Sequence, residues 1–143
     1  MHAATPSFGS QRPLARLYQQ VDTESRALSA SPHRLVAMLF EGLLEALNRA
    51  RGALQRRDVT GKGEAIARAI RILNEGLRAG VVDSDDSELA NNMHALYSYI
   101  GMRLTQANLH NDDAALQECQ RLIQPLYDAW ADIAPQVDAD APA

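Results

Sequence analysis

The stretch SASPHRLVAMLFEG, residues 29–42, decides how the chain is read. Ser31 is placed to accept a hydrogen bond from a free backbone N–H at a helix start. Pro32, at the first helical position, lacks an N–H that would have no partner there. The residues that follow recur with helical spacing but spread wide. With Leu35 at zero and about 100° per residue, Leu39, Leu43, Val36, Leu47, Phe40 and Leu44 fill an arc from about 0° to about 180°. A helix on the surface of a domain needs an apolar stripe of roughly 100°. Something must cover the rest.

The same period continues outward in both directions. No segment alternates with period two, and no Asn-Gly hairpin signal occurs. A short helical segment is expected over residues 14–28. The opening helix runs over 32–57, about 39 Å at 1.5 Å per residue. A third segment follows Asp58 or Thr60 as cap and ends near Gly80; its apolar residues Ile66, Ile70, Leu73 and Leu77 step by four, three and four. The acidic connection VVDSDDS places negative charge beside the next helix N-terminus, where the helix dipole favours it. The fourth helix, 87–109, carries Leu89, Met93, Leu96, Tyr97, Ile100 and Leu104 on one stripe. Asn111 and Asp112 cap a fifth, running to 133, with Leu116, Cys119, Ile123, Leu126, Tyr127 and Trp130 on its stripe. Four long helices with short connections make antiparallel neighbours the default. The expected fold is all-α: an antiparallel up-down four-helix bundle with a short N-terminal helical cap segment. Residues 1–13 and 134–143 are small, polar and proline-containing, and are expected to be disordered around a single domain over 14–133.

Composition bounds the function. Of 143 residues, 46% are hydrophobic and 22% charged, a globular balance, and with only 5% aromatic residues Leu, Ile, Val and Ala must fill the core. A net charge of −4 argues against a dedicated nucleic-acid binder. The single cysteine, Cys119, permits no internal disulfide and suits a reducing compartment. The N-terminus MHAATPSFGSQRP has no apolar core segment of the secretory type. The longest apolar run, residues 35–40, falls far short of the roughly 20 residues that span a bilayer. A cytoplasmic protein without stable membrane insertion is expected.

No constellation of catalytic or metal-binding residues survives scrutiny, so no enzyme, metal or cofactor is expected. Glu-x-x-His, the di-iron signature of helical bundles, does not occur. His33, His94 and His110 are scattered and read as surface or capping residues. The acidic run from Asp83 has Glu88 where a calcium loop needs glycine and His94 where it needs glutamate. Gly61-Lys62-Gly63 lacks the strand, the glycine spacing and the Ser/Thr of a phosphate loop and reads as a helix–helix turn. Cys119 lies on an apolar face and reads as a small core residue. The one strong charge asymmetry is basic: Arg49, Arg51, Arg56, Arg57, Lys62, Arg68, Arg71 and Arg78 against Asp58, Glu64 and Glu75. It reads either as a solvated hairpin with Glu64–Arg68 pairing, or as a surface for an acidic protein partner.

A second apolar signal lies beside the core seam of the third segment. With Ile66 at zero, Ala65, Ala69, Ile72 and Gly76 fall at about 240° to 300°. A strip of small residues lets another backbone approach closely. It is either closed within a tight bundle, with the N-terminal segment lying in it, or an open groove for an amphipathic helix.

The stretches LYQQVDTES and SASPHRLVAMLFEG resemble the N-terminal signature of the flagellar secretion chaperone FliS family. KGEAIARAIRILNEGLRAG, the Glu88-Leu89-Ala90 run leading to ALYSYI, RLTQANLHNDDAAL and the final DAW match it too, in order from Tyr18 to Ile133. The resemblance implies a non-enzymatic cytoplasmic chaperone that binds the disordered C-terminal segment of flagellin, prevents premature polymerisation and keeps it ready for flagellar type III export. It also implies possible contacts with export-gate components and an anti-sigma factor, in a monomer or weak homodimer. In the family the N-terminal segment covers part of the client surface, and Tyr18 and Val21 are the matching positions. Taken with the wide arc and the small-residue strip, the expected partner-binding residues are Tyr18, Val21, Phe40, Leu44, Ala65, Ala69, Ile72, Gly76 and Tyr97. The sequence departs from the family pattern at three places. Asp86-Ser87 stands for a frequent Gly-Gly, Tyr97-Ser98-Tyr99 for Tyr-Asp-Tyr, and Met102-Arg103 for Arg-Arg.

Overall fold

The computed structural model describes residues 31–81 and 87–133. The expected segment 14–28, with Tyr18 and Val21, lies outside the described residues. So do both terminal stretches and residues 82–86 of the acidic connection. Among the described residues are four long helical segments: α1 Pro32–Gln55, α2 Val59–Arg71, α3 Glu88–His110 and α4 Asp113–Asp132.

α1 starts as its sequence dictates. The Ser31 hydroxyl accepts from the Arg34 N–H at 3.1 Å, with Pro32 in the first turn. It ends in a tight reversal. Arg57 adopts a left-handed conformation (φ 60°), its N–H bonds the Leu54 carbonyl, and the Asp58 N–H reaches back to Ala53 at 2.8 Å. These two bonds satisfy carbonyls left open at the helix end. Asp58 then accepts from the Gly61 N–H at 2.9 Å and so caps α2. The α3–α4 turn repeats the device. Asn111 is left-handed (φ 51°), the Asp112 N–H bonds the Ala107 carbonyl, and the Asp112 carboxylate accepts from the Ala115 N–H.

The two turns are clamped together by Lys62. Lys62 is 6% exposed, and its ammonium donates to the Asn108 carbonyl at 2.9 Å and to Asn111 Oδ1. A cation at the last carbonyls of α3 also meets the negative end of that helix's dipole. The lysine of Gly61-Lys62-Gly63 is thus a structural fastener of the bundle end.

Four contacts set the packing order. α1 packs against both α2 and α4, and α3 packs against both α4 and α2. Cross-links run antiparallel along the α1–α4 seam. Arg51 pairs with Asp113, Gln120 bonds Asn48, Tyr127 donates to Glu41, and Trp130 bonds His33. The wide apolar arc of α1 is therefore covered from two sides: Leu39, Phe40, Leu43 and Leu47 are all 4% exposed or less. The core continues through Ile66, Ile72, Leu73, Ile100, Leu104, Leu116, Cys119 and Ile123.

The third segment is not one regular helix. After α2 the chain widens into a π-helical stretch, Ile72–Leu77, and tightens into a 3₁₀ turn, Arg78–Gly80. The wide turn places Ile72, Leu73, Gly76 and Leu77 all in the core. Leu39 of α1 presses on Gly76, where a Cβ would stand 2.8 Å from Leu39 Cδ2. α4 continues through Pro125, which sits on an exposed face.

Candidate partner-binding surface

The small-residue strip is not an open groove. Ala69 and Ile72 are fully buried and Gly76 receives Leu39, so the strip is mostly the seat of α1. Close approach of a second backbone, the property read from the sequence, is used inside the bundle. Ala65, 7% exposed, is the member that reaches a surface cleft between α1 and α2. Phe40 and Tyr97 are core residues at 4% and 2% exposure, with Phe40 facing the Tyr127 ring at a centroid distance of 6.5 Å. Burial pushes the Tyr97 phenol up to about 12. Leu44 is half-buried and lines a shallow groove between α1 and α4, with Arg51, Gln117, Gln120 and Arg121 around it. Those of the expected residues that are described thus fall on the α1–α2 seam, in the core and beside the α1–α4 seam, rather than on one face.

His33 also differs from its reading as a surface or capping residue. It is 4% exposed and held by Trp130. Cys119 is fully buried, its Sγ faces the Ile100 carbonyl at 3.9 Å, and burial pushes its thiol up to about 11. It has neither the exposure nor the ionisation a nucleophile needs. Among the described residues no three His, Cys, Asp or Glu side chains are grouped so as to hold a metal ion, and no helix is long and apolar enough to cross a membrane.

Among the described residues, the outer side of α3 is a nearly uncharged surface with exposed apolar side chains. Of its 23 residues only Glu88 and Arg103 carry a formal charge. Ala95, Ser98, Met102, Thr105 and Leu109 are all exposed, Met102 at 48% and Leu109 at 71%, and they project from one side of the helix at three- and four-residue steps. Gly101 lies beside them, half-buried, and a Cβ there would meet Leu73 Cδ2 at an ordinary 3.6 Å. At the edge of this face Tyr99 donates to Glu118 Oε2 at 2.7 Å, and Arg103 pairs with Glu118 Oε1 at 2.6 Å. Both bonds hold the Glu118 carboxyl below the usual carboxylate range, and the first raises the Tyr99 phenol. Arg103 and Glu118, the charges described at this edge, are thus tied to one another. This face lies opposite the strongest apolar stripe of α3, so that stripe does not reveal it. The missed signal was the scarcity of charge on the opposite side.

Residues 14–137 match the family described as flagellar protein FliS. The chain belongs to the FliS family. A flagellar secretion chaperone FliS of Salmonella typhimurium is 46% identical over 121 residues, 85% of this chain and 90% of that protein. The Escherichia coli FliS is 44% identical over 113 residues, 79% and 83% of the two chains. A Pseudomonas aeruginosa protein, flagellar secretion chaperone FliSB, is 41% identical over 113 residues, 79% and 89%. The FliS match spans all four helices of the bundle, so the elements described above are those of the family domain.

Proposed function

We propose that this protein is a cytoplasmic flagellar secretion chaperone, not an enzyme, whose client is the C-terminal segment of flagellin. Membership of the FliS family across residues 14–137 carries this reading. The uncharged outer face of α3 supports it, since it offers exposed apolar and small side chains to an amphipathic helix. A disordered segment can wrap such a surface and order itself on binding. Leu44, in the groove between α1 and α4, is a separate contact on this reading. Tyr18 and Val21, from the N-terminal segment, cover part of the client surface when no client is bound. Export-gate components and an anti-sigma factor are further partners on this reading, and the free protein is a monomer or weak homodimer.

The reading is tested by mixing purified flagellin monomer with the chaperone at equal concentration and seeding polymerisation. Light scattering should stay flat with the chaperone and rise without it. Polymerisation at an unchanged rate, with a folded chaperone present, would remove flagellin as the client. The basic hairpin is not favoured as the main binding surface. Two of its eight cations, Arg51 and Lys62, turn inward to Asp113 and to the α3–α4 turn.

A further inference from the structure

Three of the six hairpin cations that do not turn inward line one cleft. It lies between the C-terminal half of α1 and the first turns of α2, and Arg49, Arg56 and Arg68 line it. Its lining includes three residues with little or no side chain, Gly52, Gly61 and Ala65. The Arg56 guanidinium folds over Gly52, 3.1 Å from where a Cβ would stand.

The charge in the cleft is incompletely answered. The ion pairs found among the described residues are Arg34–Glu41, Arg51–Asp113 and Arg103–Glu118, and none uses Arg49, Arg56 or Arg68. Arg68 Nε is buried without a hydrogen-bond partner. Desolvation lowers the Arg68 guanidinium from its ordinary value; Glu45 counters this, while Arg49 and Arg71 add to it. A half-buried guanidinium with cations on both sides is a place where an added carboxylate gains strong, charge-assisted hydrogen bonds.

We propose that this α1–α2 cleft is a second partner site, separate from the α3 face, that takes an acidic helical segment of another protein. Its carboxylates would meet Arg49, Arg56 and Arg68. One feature selects a peptide over nucleic acid: no aromatic side chain lines the cleft for base stacking.

Amide chemical shifts of the ¹⁵N-labelled full chain test this. The probe is a short helical peptide with glutamates at i, i+4 spacing. Controls are its glutamine counterpart and a short single-stranded DNA. The glutamate peptide should move the Gly52 and Gly61 amides, more weakly as salt is raised, and the glutamine peptide should not. The double variant Arg49→Gln/Arg56→Gln should weaken the glutamate peptide about tenfold while leaving the flagellin peptide's affinity unchanged. Equal binding of the glutamine peptide, or shifts confined to other residues, would overturn the site. Tighter binding of the DNA at the same amides would replace it with a nucleic-acid site. Loss of flagellin-peptide affinity in the double variant would mean the cleft is part of the client surface and not a second site.

Discussion

The rings of His33 and Trp130 stack at 4.7 Å and 5° between the first turn of α1 and the last turn of α4, and each side chain bonds the other's backbone carbonyl. The His33 Nε2–H donates to the Trp130 carbonyl at 2.8 Å, and the indole N–H donates to the His33 carbonyl at 3.0 Å. Since a carbonyl only accepts, the bond fixes which imidazole nitrogen carries the proton. One pair thus satisfies a carbonyl at the C-terminal end of α4 and ties both helices at that end of the bundle. Trp130→Ala should destabilise the fold by about 2–4 kcal/mol, from lost packing and two unmade hydrogen bonds. Urea unfolding of both single variants and the double variant with His33→Ala should show a coupling of about 1 kcal/mol or more. Additive effects would mean the pair does not act as one fastener.

Two glycines should respond to alanine with opposite sign. At Gly76 the new methyl would meet Leu39 Cδ2 at 2.8 Å and Cδ1 at 3.1 Å, and Leu39 is itself buried with no room to yield. Overpacking there should outweigh the gain in helix propensity, for a net loss of about 1 kcal/mol or more. At Gly101 the methyl finds ordinary contact, so alanine should stabilise by up to about 1 kcal/mol. Denaturant midpoints of the two variants settle both signs.

Lys62→Met keeps the aliphatic stem but removes the bonds to Asn108 and Asn111. It should cost about 1–3 kcal/mol. Hydrogen exchange should speed up most at the α3–α4 turn. An unchanged turn would show that the left-handed Asn111 and the Asp112 cap suffice without the clamp.

Acid should weaken the bundle through two carboxylates. Arg51 and Gln117 hold Asp113 below the usual carboxylate range, and Tyr99 and Arg103 do the same for Glu118. A group whose folded value is depressed contributes stability above its unfolded value and loses it as pH falls through the folded one. Stability should therefore be level from about pH 8 to about pH 5 and fall below about pH 4. Arg51→Gln should make the acid limb shallower, because Asp113 then titrates nearer its ordinary range. A limb of unchanged slope would contradict the assignment.

At the alkaline side the signs reverse for the neutral acids. Burial raises Cys119 to about 11, so its contribution is present below the ordinary thiol value and fades as pH rises through the folded one. At pH 8 a thiol reagent should react with Cys119 only at the rate of unfolding, and urea should accelerate it in step with the loss of helicity.

Much of the fold was legible because periodicity and capping agree. Ser31, Asp58, Ser87 and Asp112 cap the four helices, at or within a residue of where their side chains suggest. The wide arc of α1 was legible as a surplus. Its cause was not, because one helix's sequence does not say how many neighbours flank it. Leu39 and Phe40 belong to a helix covered by both α2 and α4. Gly76 shows the same limit. Its smallness signals close approach, but only the packed bundle shows that the approaching group is Leu39. The π-helical widening at residues 72–77 left no period signature, since it shifts only one turn. The α3 face is hard to read because Met102 and Leu109 sit off the main stripe, among Ala95, Ser98 and Thr105, where absence of charge is its mark.

The most direct test of the central claim is isothermal titration of the full chain with a synthetic peptide of the cognate flagellin C-terminus, at two temperatures and two salt concentrations. Wild-type protein should bind 1:1 with a negative heat-capacity change and little salt dependence. Met102→Asp/Leu109→Asp should keep its fold and lose at least about tenfold in affinity. No binding by a folded wild-type protein at either salt concentration would contradict the flagellin reading. Binding unaffected by the double substitution would move the client off α3.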